Sequence, residues 1–499
     1  MPELDPTFTA LPLRALADAA LDRAAALGAG HVEVRIERTR SDHRTYRDAA
    51  LESASDSEVL GLGVRLLWQG VWGFAAGITL TPQAAARIAE QAVEVARISA
   101  AAGSRPVELA PEPVHRGSWV SAYRIDPLSV PAPERDARLI ELSAALLAGS
   151  GVDHVQAAVD AVRENKFYAD STGTETTQQR VRIAPALTAV TVGEHGFATM
   201  RTLAPPVGRG WEYLTGEGWD FDAEVAELPG LLAEHAAAPS VEPGRYDLVI
   251  EPTNLWLTVH ESIAHGTELD RALGYEAAYA GTSFATVDGL GSLQYGSPLL
   301  QVTGDRVTEH GLASVGWDDE GVGAQEFEII RDGVLVGYQL NRQMAAERGL
   351  GRSNGCAFAD APSHIPLQRM PNVSIRPDPQ GPDVAGLISR VERGILVQGD
   401  NSWSIDMQRY NFQFTGQRFF AIEDGRLVGQ LRDVAYQATT TDFWGSLAAV
   451  GGPQTYLLAG AMNCGKGQPG QIASVSHGAP ACLFREVNVL NTNAEGGAL

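Results

Sequence analysis

The chain has 499 residues, 44% of them hydrophobic and 7% aromatic, and a formal net charge of −23 from 61 acidic and 38 basic side chains. That length exceeds what one core serves, so two domains are expected, and the negative field repels phosphate backbones and anionic lipid, which argues against nucleic acid and membranes as partners. With no run of about 18 uncharged apolar residues, acids where a secretory leader needs bases, and three cysteines, too few for a disulfide framework, the composition points to a soluble protein of a reducing cytoplasm.

The first 30 residues read as a helix. Leu13, Leu16, Ala20, Ala24 and Leu27 recur at three- and four-residue intervals, and Gly28 and Gly30 end it. Val32, Val34 and Ile36 alternate with charged residues in a first strand, 60–68 is a second, and Gly70 turns the chain. Thr81 and Pro82 suit the cap and first position of a helix through Ile98, with Ile88, Ala92, Val95 and Ala96 on its apolar face. A proline-rich passage, 106–133, leads to a helix over 134–147 and strands over 155–162 and 181–192, with Asp170-Ser171-Thr172-Gly173 as the turn between them. Helix followed by antiparallel hairpin thus occurs twice, which hints at an internal repeat. A helix over 223–238 runs into the linker 238–244, rich in proline.

Beyond the linker short alternating runs dominate: 246–250, 327–330, 334–340, 394–397, 411–422 and 481–489. Arg331-Asp332-Gly333 and Glu423-Asp424-Gly425 are hairpin turns. The expected fold class is α+β. An N-terminal domain, 1–238, sets helices on an antiparallel sheet, and a C-terminal domain, 245–499, is mainly antiparallel β, barrel-like, and carries an early helix.

That helix holds the most informative segment, with His260 and His265 around Glu261. Two neutral imidazoles suit a borderline-soft cation, and the carboxylate can take a proton from an activated water. A separation of five puts the imidazoles about 140° apart on an ideal α-helix. A π-type widening, about 4.4 residues per turn, brings them back to one face, so a distorted helix, or one ending at Gly266, is predicted. The same residues also fit a plain helix with two buried, hydrogen-bonded histidines and a solvent-facing glutamate. Against that reading, Leu255, Trp256, Leu257, Val259 and Ile263 would bury the segment, where unpaired polar groups are costly.

A catalytic zinc needs a third protein ligand and an open fourth position. Cys464 leads on the residues, in a glycine-rich loop where Lys466 would favour the thiolate. Cys356 stays open, while Cys482 in an apolar run reads as core. Asp318, Asp319 and Glu320 could orient an imidazole or meet a substrate amine, or form a solvated turn. Glu268 and Asp270 could be ligands or partners of ligands, although carboxylates of this kind are mostly surface groups.

Several segments together are similar to one family. His260, Glu261, His265 and Gly266 match a His-Glu-x-x-x-His-Gly motif, 318–321 an Asp-Asp-Glu-Gly turn, Arg369, Met370 and Asn372 an Arg-Met-x-Asn segment, and Cys464, Gly465 and Lys466 a Cys-Gly-Lys loop. On these residues the chain resembles the TldD/PmbA family of zinc metallopeptidases, in its TldD branch. The resemblance implies that His260, His265 and Cys464 bind Zn2+ and that Glu261 is the catalytic base. It implies an active subunit, since the TldE branch lacks the motif. It also implies a dimer, with a TldE-like inactive paralogue or with itself, around a cavity where short or unfolded peptides are cut.

On that reading zinc lowers the pKa of water from about 15.7 to near 7, and Glu261 takes the proton and returns it to the departing amine. An extended peptide would add to a sheet edge near Cys464. Two rivals stand beside it. One is a non-peptidase metal-dependent amidase with a deep closed pocket. The other is a non-catalytic subunit whose structural zinc is completed by a fourth protein ligand such as Asp270.

Overall fold

The computed structural model describes residues 3–103, 106–193 and 196–493. The outer ends of the two expected domains, 1–2 and 494–499, lie outside these residues. Helix α1 (Leu13–Ala26) buries Leu13, Leu16, Ala17, Ala20 and Ala24, and the chain leaves it through Gly28 at a φ of +84°, which glycine adopts without strain. Strands β1 (His31–Arg47), β2 (Ala50–Trp68) and β3 (Val71–Gly77) follow as a meander. Helix α2 (Pro82–Ala101) begins as expected, with the Thr81 hydroxyl accepting from the Ala84 N–H. Its buried stripe is Ala85, Ile88, Ala89, Ala92, Val93 and Ala96. Val95 falls at the stripe's edge and is 43% exposed, so its place on the apolar face is corrected in favour of Val93.

Helix α3 (Ala132–Leu147) and strands β4 (His154–Asp170) and β5 (Glu175–Gly193) form the second helix–hairpin unit. β1 and β4 pair antiparallel from Glu33–Asp170 to Arg47–Gln156, so the two units share one sheet in the order β3-β2-β1-β4-β5. α1 and α2 cover one core beneath this sheet, and α3 with α4 (Phe221–Ala237) covers another.

The C-terminal half opens with β7, here the strand after a short β6 (Gly196–Arg201), over Gly244–Ile250. It passes through α5 (Pro252–Val259) and reaches β8 (Arg393–Ile405), β9 (Asn411–Glu423), β10 (Val434–Thr439), the hairpin β11 (Leu457–Lys466) and β12 (Gln471–Ala479), and β13 (Cys482–Asn491). Five of these close on themselves as β8-β7-β13-β10-β9, with β9 pairing back onto β8. All contacts are antiparallel except β7 with β8. The mixed α+β class and the barrel are therefore present. The strand expected over 334–340 is shorter, Val334–Leu335, because the chain turns away after two residues. The Gln339 N–H then donates to the carbonyl of Thr267, and its carbonyl accepts from Leu269.

No helix among the described residues is long and apolar enough to cross a membrane. Close packing of α2 on β3 depends on Gly73, where an added Cβ would lie 2.0 Å from the Ala92 carbonyl oxygen. Gly73→Ala should cost about 1–3 kcal/mol, read as a lowered urea midpoint. Gly230→Ala in α4, where an added Cβ meets nothing within 4 Å, should hold or raise that midpoint.

Candidate metal centre

α5 continues without a break into a wide turn over His260–Ala264, in which the His265 N–H donates to the carbonyl of His260, five residues back. The helix then tightens over His265–Thr267 and ends. The widening predicted from the spacing is present, and the two imidazole centroids lie 4.6 Å apart.

A wide turn breaks the regular ladder and leaves carbonyls to be satisfied elsewhere. Here four of them accept from side chains. The Ser262 carbonyl accepts from the Tyr295 hydroxyl, that of Ile263 from Thr267 Oγ1 at 2.9 Å, that of Ala264 from Gln339 Nε2 at 2.6 Å, and that of Gly266 from Ser283 Oγ at 2.6 Å. Gly266 also admits Tyr295, whose hydroxyl would stand 2.8 Å from an added Cβ.

Cys464 faces this turn from β11. The sequence suggests a loop there, but the residue sits in a paired strand opposite Ala473, just past a bulge that follows Ala461. Strand alternation puts Cys464 and Lys466 on one side. The Cys464 Sγ lies 3.6 Å from His265 Nε2, and donor atoms of His260, His265 and Cys464 all lie within 4.8 Å of one another.

The donor set suits zinc. Burial holds both imidazoles neutral, His260 well below the usual histidine range and His265 at about 3. His265 Nδ1 donates to Glu268 Oε2 at 2.8 Å, which leaves Nε2 as a bare lone pair beside the thiol. Glu268 itself is pushed up by burial, but Lys466, His265 and Arg271 outweigh that and hold it well below the carboxylate range. Burial pushes the Cys464 thiol up to about 11, a penalty on the thiolate that a cation in the cluster would remove.

Lys466 favours the Cys464 thiolate, as the sequence suggests, but more weakly than burial opposes it. Its ammonium meets Glu268 at 3.0 Å, Asp270 at 2.9 Å and Glu276 at 3.1 Å. Asp270 is thereby occupied, and among the described residues it lies outside the three-donor cluster. The fourth-ligand role considered for it has no support in this geometry.

Glu261 is 6% exposed and ion-paired with Arg409, a residue the sequence reading missed. Burial raises its pKa, opposed by Arg409 and by a hydrogen bond with Trp403. Trp256, Trp403 and residues 459–463 of β11 line a cleft of about 780 Å³, whose other wall includes Glu164 and Arg182 from the N-terminal sheet. β11 has one strand partner, β12, among the described residues.

Asp318, Asp319 and Glu320 neither meet the imidazoles nor form a solvated turn. They are 3%, 5% and 1% exposed. Asp319 binds Lys166 at 2.8 Å and the Ala359 N–H, Glu320 binds Arg65 at 2.9 Å and the Arg342 N–H, and Asp318 accepts from the N–H groups of Glu320, Val322 and Ala357. Asp319 and Glu320 bolt the N-terminal sheet to the C-terminal half, and Asp318 holds their turn in shape. The group beside His260 is His477 of β12, whose Nε2 lies 2.8 Å from His260 Nδ1. Nothing in the sequence around His477 or Arg409 signals either contact.

Comparison with known proteins agrees with this architecture. A sequence profile described as the PmbA/TldA metallopeptidase C-terminal domain matches residues 243–491, and one described as domain 1 of the same metallopeptidases matches 32–96. The chain belongs to the TldD/PmbA family. Relatives in that family include a metalloprotease of Methanothermobacter thermautotrophicus, 25% identical over 93% of this chain and 96% of that protein. A Synechocystis metalloprotease is 27% identical over 92% and 95%, and a zinc metalloprotease TldD homolog of Saccharolobus solfataricus 22% identical over 54% and 57%. Among solved structures, a Thermotoga maritima protein described as a candidate modulator of DNA gyrase superposes with a TM-score of 0.76 at 14% identity, covering 95% of this chain and 99% of that one. TldE from Thermococcus kodakarensis superposes at 0.72 and 16%, covering 95% and 99%. The TldD/PmbA fold thus extends over nearly the whole chain.

Zinc titrated into metal-free protein near pH 7 should bind once and release about one proton from the Cys464 thiol, which is protonated there, and none from the imidazoles, which are already neutral, besides any fraction from water on the metal. Calorimetry in buffers of different ionisation enthalpy measures this. Cys464→Ser should lower the release by about one proton, and a release unchanged in that variant would remove Cys464 from the ligand set.

Proposed function

We propose that this protein is a zinc-dependent metallopeptidase that hydrolyses peptide bonds in short or unfolded peptides, with His260, His265 and Cys464 as the metal ligands and Glu261 as the catalytic base. One observation carries the reading: three zinc-type donors converge without a fourth protein ligand among the described residues, beside a buried glutamate and an open cleft. Zinc held there would supply Lewis acidity, polarising a peptide carbonyl and bringing the pKa of water toward neutrality.

The chain's own groups do the rest. Glu261 accepts the proton of the attacking water and returns it to the departing amine nitrogen. Arg409 opposes the effect of burial on Glu261 and so keeps more of it in the basic, ionised form at neutral pH. Glu268 fixes the ring of His265. The cleft walls, in part strand β11, suit an extended backbone more than a compact small molecule, which favours a peptidase over an amidase.

In this proposal residues 245–499 form the metallopeptidase unit, and 1–238 wall the cleft and contribute to dimerisation, with a TldE-like paralogue or a second copy. A cytoplasmic setting fits the three free, buried cysteines. The deciding assay is cleavage of a random peptide mixture with and without chelator, by the protein alone and together with a TldE-like companion. Cleavage that chelator leaves untouched would refute the metallopeptidase reading.

Glu261→Gln should retain zinc while kcat falls by roughly 10²–10⁴. Arg409→Gln should move the acid limb of kcat/KM to higher pH. The burial that raises Glu261 is then opposed only by Arg271 and Trp403, and the base becomes protonated earlier as pH falls.

A further inference from the structure

His477 is fully buried and carries no role in the reading above, yet both of its ring nitrogens are engaged. Its Nδ1 lies 2.9 Å from the carbonyl oxygen of Val373, on the strand Asn372–Ile375. Its Nε2 lies 2.8 Å from His260 Nδ1. The Trp256 ring stacks on it, 6.3 Å between centroids and 7° between planes, which fixes the ring's orientation.

A carbonyl oxygen has no proton to give, so Nδ1 of His477 must be the donor in the first contact. A neutral ring with its proton on Nδ1 has a bare Nε2, which can only accept. The atom facing it, His260 Nδ1, must therefore carry a proton, and the neutral His260 ring is left with a bare Nε2. The direction of the chain, His260 to His477 to Val373, is set at its far end by the backbone. Running it the other way would point a lone pair at a carbonyl and put a proton on the nitrogen of His260 that the donor cluster needs.

We propose that His477 is a positioning residue for His260: it selects the Nδ1–H tautomer and thereby prepares Nε2 to bind metal. It does for His260, with a neutral acceptor, what Glu268 does for His265 with a charged one. The inference rests on the assignment of His260 as a zinc ligand, but its first consequence can be read without metal.

The test uses full-length protein and two variants. His477→Gln keeps the relay, because its amide oxygen can accept from His260 while its NH2 donates to Val373. His477→Leu removes the relay at similar volume. Selective 15N-histidine NMR of metal-free protein should show His260 protonated on Nδ1 in the wild type and in His477→Gln, and shifted toward Nε2–H in His477→Leu. In competition with a chelator of known affinity, zinc binding should weaken about 10–100-fold in His477→Leu and stay within about threefold of wild type in His477→Gln. Circular dichroism of each metal-free variant checks that the fold persists. His260 unchanged on Nδ1 in a folded His477→Leu, with wild-type zinc affinity, would overturn the proposal. Failure of the ligand assignment looks different: zinc affinity would be insensitive to His260→Ala, while the tautomer readout still judges His477 by itself.

Discussion

Everything at the centre depends on one backbone distortion, the wide turn that lets residues five apart face the same point. Such a turn is not stabilised by its own ladder, and a buried carbonyl left without a donor costs about 1–3 kcal/mol. Donors therefore have to be delivered from outside the helix. Tyr295 and Ser283 come from the irregular stretch after the histidines, and Gln339 comes from the segment that leaves the strand at Leu335. Trp444 fixes the Ser262 hydroxyl at 2.9 Å from the other side. The irregular chain between 270 and 340 thus has a definite task, which is to supply polar groups where the helix cannot.

The local pattern in the sequence carries much of the fold, and the reason is visible element by element. Thr81 with Pro82, the paired hairpin turns with Asp332 and Asp424 at positive φ, and the alternation after Val32 are all signals that act within a few residues. The same is true of the five-residue histidine spacing, since helix pitch alone makes it imply a widened turn. What escaped was set by distant partners. His477 lies in a strand whose pattern says only that it is buried, and its meaning comes from a helix 217 positions away. Asp318 to Glu320 look like a turn, and they are one, but Lys166 and Arg65 arrive from the N-terminal sheet to bury them. Burial, with Glu320 beside it, even pushes Asp318 up to about 8. The glycines around Cys464 suggested a loop, but Gly465 is a strand residue with open space above it.

The charge distribution has an inside as well as an outside. The surface is strongly acidic, but Lys466 is sunk among Glu268, Asp270 and Glu276 and is 2% exposed. Its charge is what allows Glu268 to remain ionised in a dry setting, and Glu268 in turn holds His265. A lysine two residues from the cysteine on the same strand therefore acts on the opposite donor, through Glu268, as well as easing its neighbour toward the thiolate. The two ends of the three-donor set are linked through a cation that touches neither sulfur nor imidazole.

The barrel also imposes an order in time. β7 is among the first strands of the C-terminal half to be made, yet one of its two neighbours is β13, the last strand among the described residues. Cys464 and His477 belong to the hairpin synthesised just before it. A growing chain can therefore form the N-terminal sheet and even α5 while β7 still has an open flank and the two histidines have neither sulfur nor relay. Closing the barrel requires a loop of more than 200 residues, the kind of long-range pairing that folds slowly. The candidate metal centre therefore joins an early helix to strand residues 199 and 217 positions later, and it is complete only once the β11–β12 hairpin has docked on that helix.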